Sequence, residues 1–260
     1  MLALSGGLTL ALAALAAGLA GGVVVNMLAD VLPRERWERR LGFCLKCEHA
    51  WPRWWYVPVL PVFKRNARCQ QCNERLPRRH IWVGVAAPLA LLLLLWPISE
   101  DASAKLAPAA LLALYGLATL ALLLIFVTDL EHHLILDVIT YPAIIGLLAV
   151  GIILNHRMLF FMVVGALISG ALFGVCYALA YLIYHTDALG LGDVKLAVLI
   201  GLLIGWPAII NALFCGTLAG AATGIVLMIA QRADRHTMIP LGTGLSLGAF
   251  LALLLAPLLW

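Results

Sequence analysis

The chain has 260 residues, of which 64% are hydrophobic and 12% are charged, and its mean hydropathy is +1.03. About a quarter of the residues in soluble globular domains are charged, so this composition excludes an ordinary soluble domain and predicts an all-α polytopic membrane protein. The formal net charge of +4 comes from one segment, because 12 of the 17 Lys and Arg residues lie between Arg34 and Arg79. Loops beside anionic lipid are usually basic, so we expect membrane lipid, and no nucleic acid, as the partner of this segment.

Eight apolar stretches are long enough to cross a hydrocarbon core of about 30 Å. They cover residues 7–29, 81–98, 106–128, 134–154, 158–183, 194–212, 213–230 and 239–258. The division within 194–230 is the least defined, because Gly205, Trp206 and Pro207 interrupt that run and the boundary could lie several residues either way. The positive-inside rule places the basic segment in the cytoplasm, and eight spans then put both termini outside.

The first helix is expected to be retained, because no positive charge precedes it and a basic loop follows it, the reverse of a signal peptide. The predicted organisation is a first transmembrane helix at 1–30, a cytoplasmic loop at 31–80 and a seven-helix membrane domain at 81–260. Cys176 and Cys215 fall within predicted spans and are interpreted as small buried residues.

Four cysteines in the cytoplasmic loop form two CxxC pairs. Cys44 and Cys47 are separated by 21 residues from Cys69 and Cys72. Two such pairs can supply four thiolates to a tetrahedral zinc ion, and a structural site of this kind would stabilise a loop that has few aliphatic residues. The alternative is two disulfides, which rarely persist in the reducing cytoplasm. Zinc ligation by the four cysteines is therefore predicted.

The histidines near these pairs, His49 and His80, are expected to be exposed loop residues.

Acidic residues border two of the predicted spans, and each such residue is a functional hypothesis because a charge near lipid is costly. Asp129 ends one span and Asp193 begins another, and the predicted topology places both on the cytoplasmic side at the same depth. Two neighbouring carboxylates can share one proton, so that one acts as general base on a water while the other polarises a peptide carbonyl. The pair therefore predicts an aspartic protease. The alternative for Asp193 is a helix N-cap, and Asp137 and Asp187 are interpreted as caps or turn residues.

The residues around Asp193 read "GLGDVK". Gly190 and Gly192 lack Cβ atoms, which allows unusual backbone angles and the close approach of a peptide substrate. Lys195 either favours the ionised form of Asp193 or extends to the membrane interface.

Five segments, in this order, resemble the type IV prepilin peptidases, which are GxGD-type aspartic proteases of bacterial inner membranes. They are "GLAGGVVVNMLADVLPRE" near 18–35, the paired CxxC loop with "YVPVLPVFKRNARC", "TDLEHHLILDVIT", "GLGDVKLAVLIGLLIGW" and "IPLGTGLSLGA" at 239–249.

The resemblance implies that Asp129 and Asp193 are the catalytic dyad. It also implies that the enzyme removes the basic leader from type IV prepilins or type II secretion pseudopilins, cutting after a Gly at the cytoplasmic face. Many members then methylate the new N-terminal residue with S-adenosylmethionine, and the four cysteines accompany that bifunctional type. Gly84 stands where the family commonly has a Glu, and "GGVVVN" stands where a Ser and an aromatic residue are usual.

Three alternatives remain open at this point. The first is a peptidase without methyltransferase activity, because both departures lie in the half of the chain linked to methylation. The second is a proton- or cation-coupled transporter, for which carboxylates near the membrane midplane are expected. The third is a presenilin-like protease, which the zinc loop and the eight spans disfavour.

Overall fold

A computed structural model describes residues 2–33, 47, 49, 69, 71–73, 78–100, 108–154, 156–184, 190–229 and 241–259. Within these residues the chain is helical, without a β-strand. The helices are α1 (Leu2–Val31), α2 (Arg79–Leu93), α3 (Leu95–Glu100), α4 (Pro108–His132), α5 (Asp137–Leu154), α6 (His156–Tyr184), α7 (Leu191–Ile204), α8 (Ile209–Ile229) and α9 (Leu241–Leu259). The predicted all-α class is therefore confirmed.

In the described part of the chain, four helical segments are long and apolar enough to cross a membrane. These are Gly7–Val31, Arg79–Ile98, Pro108–His132 and His156–Ile183. Three shorter apolar helices, Asp137–Ile153, Ile209–Thr223 and Leu241–Leu255, accompany them. Many apolar side chains face outward, and Leu117, Ile153 and Ile183 are each more than two thirds exposed. Large exposed apolar surfaces are rare on soluble monomers, so the surface matches a lipid environment.

The break inside the long apolar run 194–230 falls at Gly205, Trp206 and Pro207, several residues before the division at 212/213. Helix α7 ends at Ile204 and α8 begins at Ile209. Gly205 adopts a φ of 75°, a left-handed conformation that favours glycine, and the Trp206 N–H donates to the carbonyl of Phe161. The boundary that the sequence left open thus lies at the predicted interruption, and α7 is a 14-residue helix.

The chain divides into two compact units, Met1–Leu124 and Ile125–Trp260. In the first unit α1 packs against α2 through glycines: a Cβ on Gly18 would lie 2.8 Å from the Pro88 nitrogen, and one on Gly22 would lie 3.5 Å from the Cα of Gly84. Gly84 is buried in this interface. The boundaries 1–30, 31–80 and 81–260 stay predictions.

His80 is not an exposed loop residue, as was expected, but the second residue of α2, with 4% exposure. It lies beside Asp30 near the end of α1. The expectation failed because the acidic partner is 50 positions away in the chain. His49 is half-buried.

In the second unit, small residues bring pairs of helices close together. Gly216 and Gly220 of α8 face Gly244 and Gly248 of α9, and a Cβ on Gly244 would lie 2.5 Å from the Gly216 carbonyl oxygen. Two GxxxG patterns thus meet, a recurrent packing of membrane helices. Helices α6 and α7 approach in the same way. Cys176 and Cys215 were expected to be buried, but both are exposed.

Candidate active site

Asp129 lies in the last turn of α4 and is only 5% exposed. The helix does not end at Asp129 as predicted but continues to His132, because the charged residues that follow Asp129 include no helix breaker. His133 then adopts a left-handed φ of 53°, and its N–H donates to the carbonyl of Asp129 at 2.9 Å. The chain turns through residues 133–136 into α5.

The N-terminus of α9 holds the Asp129 carboxylate. The Thr243 N–H donates to Asp129 Oδ2 at 2.7 Å, and the backbone of Gly242 also forms a hydrogen bond to the carboxylate. The first N–H groups of a helix have no intrahelical acceptor, so a carboxylate is a favourable partner for them. A Cβ on Gly242 would lie 3.0 Å from Asp129 Cγ and Oδ2, so any side chain there would displace the carboxylate by a few tenths of an ångström.

Asp193 is the third residue of α7 and is half-buried. Gly190 is the N-cap of this helix, so the alternative interpretation of Asp193 as the N-cap is wrong. The Asp193 N–H donates to the Gly190 carbonyl at 3.0 Å, and its carboxylate accepts a hydrogen bond from the Gly190 backbone. This contact is half of a capping box. The Asp193 carboxylate also experiences the charge of Asp129.

Ile135 joins the two halves of the site. A Cβ added to Gly192, beside Asp193, would lie 3.0 Å from Ile135 Cβ. A Cβ added to Gly242, beside Asp129, would lie 3.1 Å from Ile135 Cδ1. One side chain therefore contacts the backbone next to each aspartate. The structure brings together Asp129 and Asp193, two residues that the sequence analysis paired.

Of the two roles predicted for Gly190 and Gly192, the unusual backbone angles are not found, and the close approach of a peptide substrate stays a prediction. Gly190 has φ −74° and ψ 139°, which any residue can adopt, and Gly192 is helical, so unusual backbone angles are absent at both. Gly192 instead provides the space that Ile135 occupies. Asp187 lies outside the described residues.

Lys195 pairs with Asp137 rather than with Asp193. Its Nζ lies 2.7 Å and 2.9 Å from the two Asp137 carboxylate oxygens and 5.2 Å from the centre of the Tyr141 ring. Asp137 is the first residue of α5, where a carboxylate is favoured by the helix dipole. The ion pair connects α5 to α7 at the edge of the site.

Sequence reasoning missed the roles of Gly242, Thr243 and Ile135. Thr243 is separated from Asp129 by 114 positions, so no local pattern signals the contact. The segment "IPLGTGLSLGA" contributes to the family resemblance but indicates no contact with Asp129. A glycine-rich helix start, which offers N–H groups to an anion, was the available signal.

Three of the four predicted zinc ligands lie together. The Sγ atoms of Cys47, Cys69 and Cys72 are within 4.8 Å of one another, and those of Cys47 and Cys69 are 3.4 Å apart without a disulfide. Tetrahedral zinc with Zn–S bonds of about 2.3 Å separates its sulfurs by about 3.8 Å, so these spacings fit. Cys44 lies outside the described residues.

The turn that carries Cys69 favours its thiolate. Backbone hydrogen bonds from Cys72 and Gln71 lower the pKa of the Cys69 thiol. Asn73, with a φ of 58°, donates its N–H to the Cys69 carbonyl at 3.0 Å and closes the turn. The cysteine cluster could therefore hold a metal ion.

Comparison with known families matches two parts of the chain. Residues 116–225 match the type IV leader peptidase family, and residues 16–98 match the bacterial peptidase A24 N-terminal domain. Together the two ranges cover most of the chain. No solved structure shows significant similarity.

Several curated proteins named "Prepilin leader peptidase/N-methyltransferase" are similar to this chain. The protein from Pseudomonas aeruginosa is 29% identical over 81% of this chain and 70% of its own length. The one from Legionella pneumophila is 28% identical, over 82% and 71% respectively. The one from Burkholderia pseudomallei is 31% identical, over 79% and 64%. With both family ranges and these relatives in agreement, the chain belongs to the type IV leader peptidase family.

Proposed function

We propose that this protein is an aspartic endopeptidase of the bacterial inner membrane that removes the leader from type IV prepilins or pseudopilins and then methylates the new N-terminal residue. The relatives are named for both activities, which favours the bifunctional enzyme over a peptidase alone. S-adenosylmethionine is the methyl donor that the second activity implies.

Asp129 and Asp193 are the proposed catalytic dyad. The observation that carries this assignment is their convergence on Ile135, with backbone N–H groups bonded to both carboxylates. Such donors fix the positions of the carboxylates before substrate binds. Nearby like charges cannot both ionise freely, so the pair is suited to hold one proton between them.

The proposed reaction is a direct hydrolysis. One carboxylate takes a proton from a water, whose oxygen adds to the scissile carbonyl carbon, while the protonated partner donates a hydrogen bond to the carbonyl oxygen. The peptide C–N bond then breaks and the leaving amine takes up the proton. No covalent intermediate with the enzyme forms.

The site and the cysteine loop are proposed to face the cytoplasm, with both termini outside. The support is the concentration of basic residues between Arg34 and Arg79, which the positive-inside rule places in the cytoplasm. Cys44 is the proposed fourth ligand beside Cys47, Cys69 and Cys72, and structural zinc is the proposed metal.

The dyad is tested by changing Asp129 and Asp193 singly to Asn in purified enzyme supplied with a prepilin. Each change should lower the rate of leader cleavage by at least about a hundredfold, because each removes one partner in the proton transfer. Glu131→Gln is the matched control, since it also replaces a carboxylate by an amide, at an exposed position two residues from Asp129. Retained cleavage in either Asn variant would exclude the dyad.

A further inference from the structure

A second group of buried polar side chains lies in the first unit, where α1 ends and α2 begins. Asp30 is the penultimate residue of α1, and Arg79 and His80 are the first two residues of α2. The Arg79 guanidinium donates to Asp30 Oδ1, and His80 Nε2 lies 3.4 Å from Asp30 Oδ2. The three side chains are 12%, 5% and 4% exposed, so ionisable groups are held almost out of contact with solvent.

Asn26 completes the group from one helical turn before Asp30. Its Nδ2 donates to the carbonyl of His80 at 3.5 Å, and the residue is 1% exposed. Its Oδ1 is buried and accepts no hydrogen bond from any described residue. Buried acceptors nearly always have a donor because leaving one unpaired costs free energy. The unpaired oxygen therefore marks the position of a donor that is supplied from outside.

The chemistry around Asn26 selects the kind of donor. The Asp30 carboxylate has two oxygens that can accept more than one hydrogen bond each, and Asn26 Oδ1 is neutral and acceptor-only. A carboxylate or phosphate ligand would be repelled by these oxygens. An ammonium group has three donors and no acceptor, and it matches them.

We propose that Asn26, Asp30, Arg79 and His80 form a binding site for an α-amino group. This inference rests on the proposed methylation, in which two reactants carry such a group: the N-terminus of the cleaved pilin and the methionyl part of S-adenosylmethionine. In either case Asn26 and Asp30 accept the N–H donors, and Arg79 and His80 position Asp30.

Binding is tested with the full-length protein in detergent micelles by calorimetric titration. The probes are S-adenosylmethionine, a short peptide with the mature N-terminus of a pilin, and the same peptide acetylated at its N-terminus. The variants are Asn26→Leu, which keeps the side-chain volume, and Asp30→Asn, which keeps the shape and removes the charge. Thr119→Val is the matched control, because Thr119 is also buried in the first unit and its hydroxyl also lacks a described partner.

Both variants should bind at least one amine probe about tenfold more weakly than the wild type and should methylate pilin more slowly, with leader cleavage unchanged. Weakened binding of the peptide alone assigns the site to the pilin, and weakened binding of S-adenosylmethionine alone assigns it to the methyl donor. Either result supports the proposal, and Thr119→Val should bind as the wild type does.

The inference is overturned if folded Asn26→Leu and Asp30→Asn bind both amine probes with wild-type affinity. It is also overturned if the wild type binds the free and the acetylated peptide equally well and the variants bind S-adenosylmethionine as the wild type does. If the cluster had only a structural role, the substitutions would lower the unfolding temperature and leave the affinities unchanged. That result would also contradict the proposed binding site. Failure of the proposed methylation is a separate result: the wild type would cleave prepilin and leave the new N-terminus unmethylated.

Discussion

Gly242→Ala tests whether the start of α9 positions Asp129. The added Cβ would lie 3.0 Å from Asp129 Cγ and Oδ2 and 3.1 Å from Ile135 Cδ1, each a few tenths of an ångström closer than ordinary contact. The carboxylate is buried and bonded to the Thr243 N–H at 2.7 Å, so it cannot move away without lengthening that bond.

The magnitude follows from the hydrogen bond and the displacement. A hydrogen bond to a charged group contributes about 1.5–3 kcal/mol, and a small misplacement of a catalytic group lowers the rate by up to about a hundredfold. We therefore expect kcat for leader cleavage to fall by about ten- to a hundredfold, with a smaller change in KM. Alanine is a better helix former than glycine, so loss of helix propensity cannot account for the decrease.

The assay is cleavage of a purified prepilin in detergent, followed by the shift in mass, with kcat and KM measured separately. Gly146→Ala is the matched control, because a Cβ at Gly146 in α5 meets nothing within 4 Å. That variant should retain wild-type kinetics. A Gly242→Ala enzyme with a kcat within twofold of the wild type and an unchanged unfolding temperature would refute the role assigned to α9.

Two further predictions concern the metal and the helix packing. Elemental analysis of the purified protein should find about one equivalent of zinc. Cys72→Ser should lower the zinc content markedly, while Cys215→Ser should leave it unchanged. Equal zinc content in the two variants would contradict the cysteine site. Gly201→Ala should destabilise the α6–α7 pair by about 1–3 kcal/mol, because the added Cβ would lie 2.6 Å from the Cα of Ala166. Thermal unfolding should show this loss of stability relative to Gly174→Ala, whose Cβ meets open space.

The sequence was sufficient for the helical class and for the pairing of Asp129 with Asp193, because both depend on the cost of placing polar groups near lipid. It misplaced the end of α4, since hydropathy falls at Asp129 while helix propensity continues to His132. It left the boundary between α7 and α8 open within 194–230, because the residues on both sides are equally apolar and only Gly205 and its neighbours mark the turn.

Contacts between distant segments were beyond the reach of a single sequence. Asp129 meets Thr243 across 114 positions, and Asp30 meets Arg79 across 49. A carboxylate at the end of the first membrane helix was nevertheless a signal, because an ionisable residue in a membrane helix is often functional. That rule would have singled out Asp30, although not its partners in the cluster.

The hydrogen bonds from the start of α9 to Asp129 have a consequence during synthesis of the chain. Both aspartates leave the ribosome before residue 194, whereas the N–H donors that fix Asp129 belong to residues 242 and 243. A nascent chain inserted only as far as α8 therefore carries the proposed dyad without the backbone groups that position Asp129. We therefore expect the proposed dyad to cleave no leader until the last helix is in the membrane.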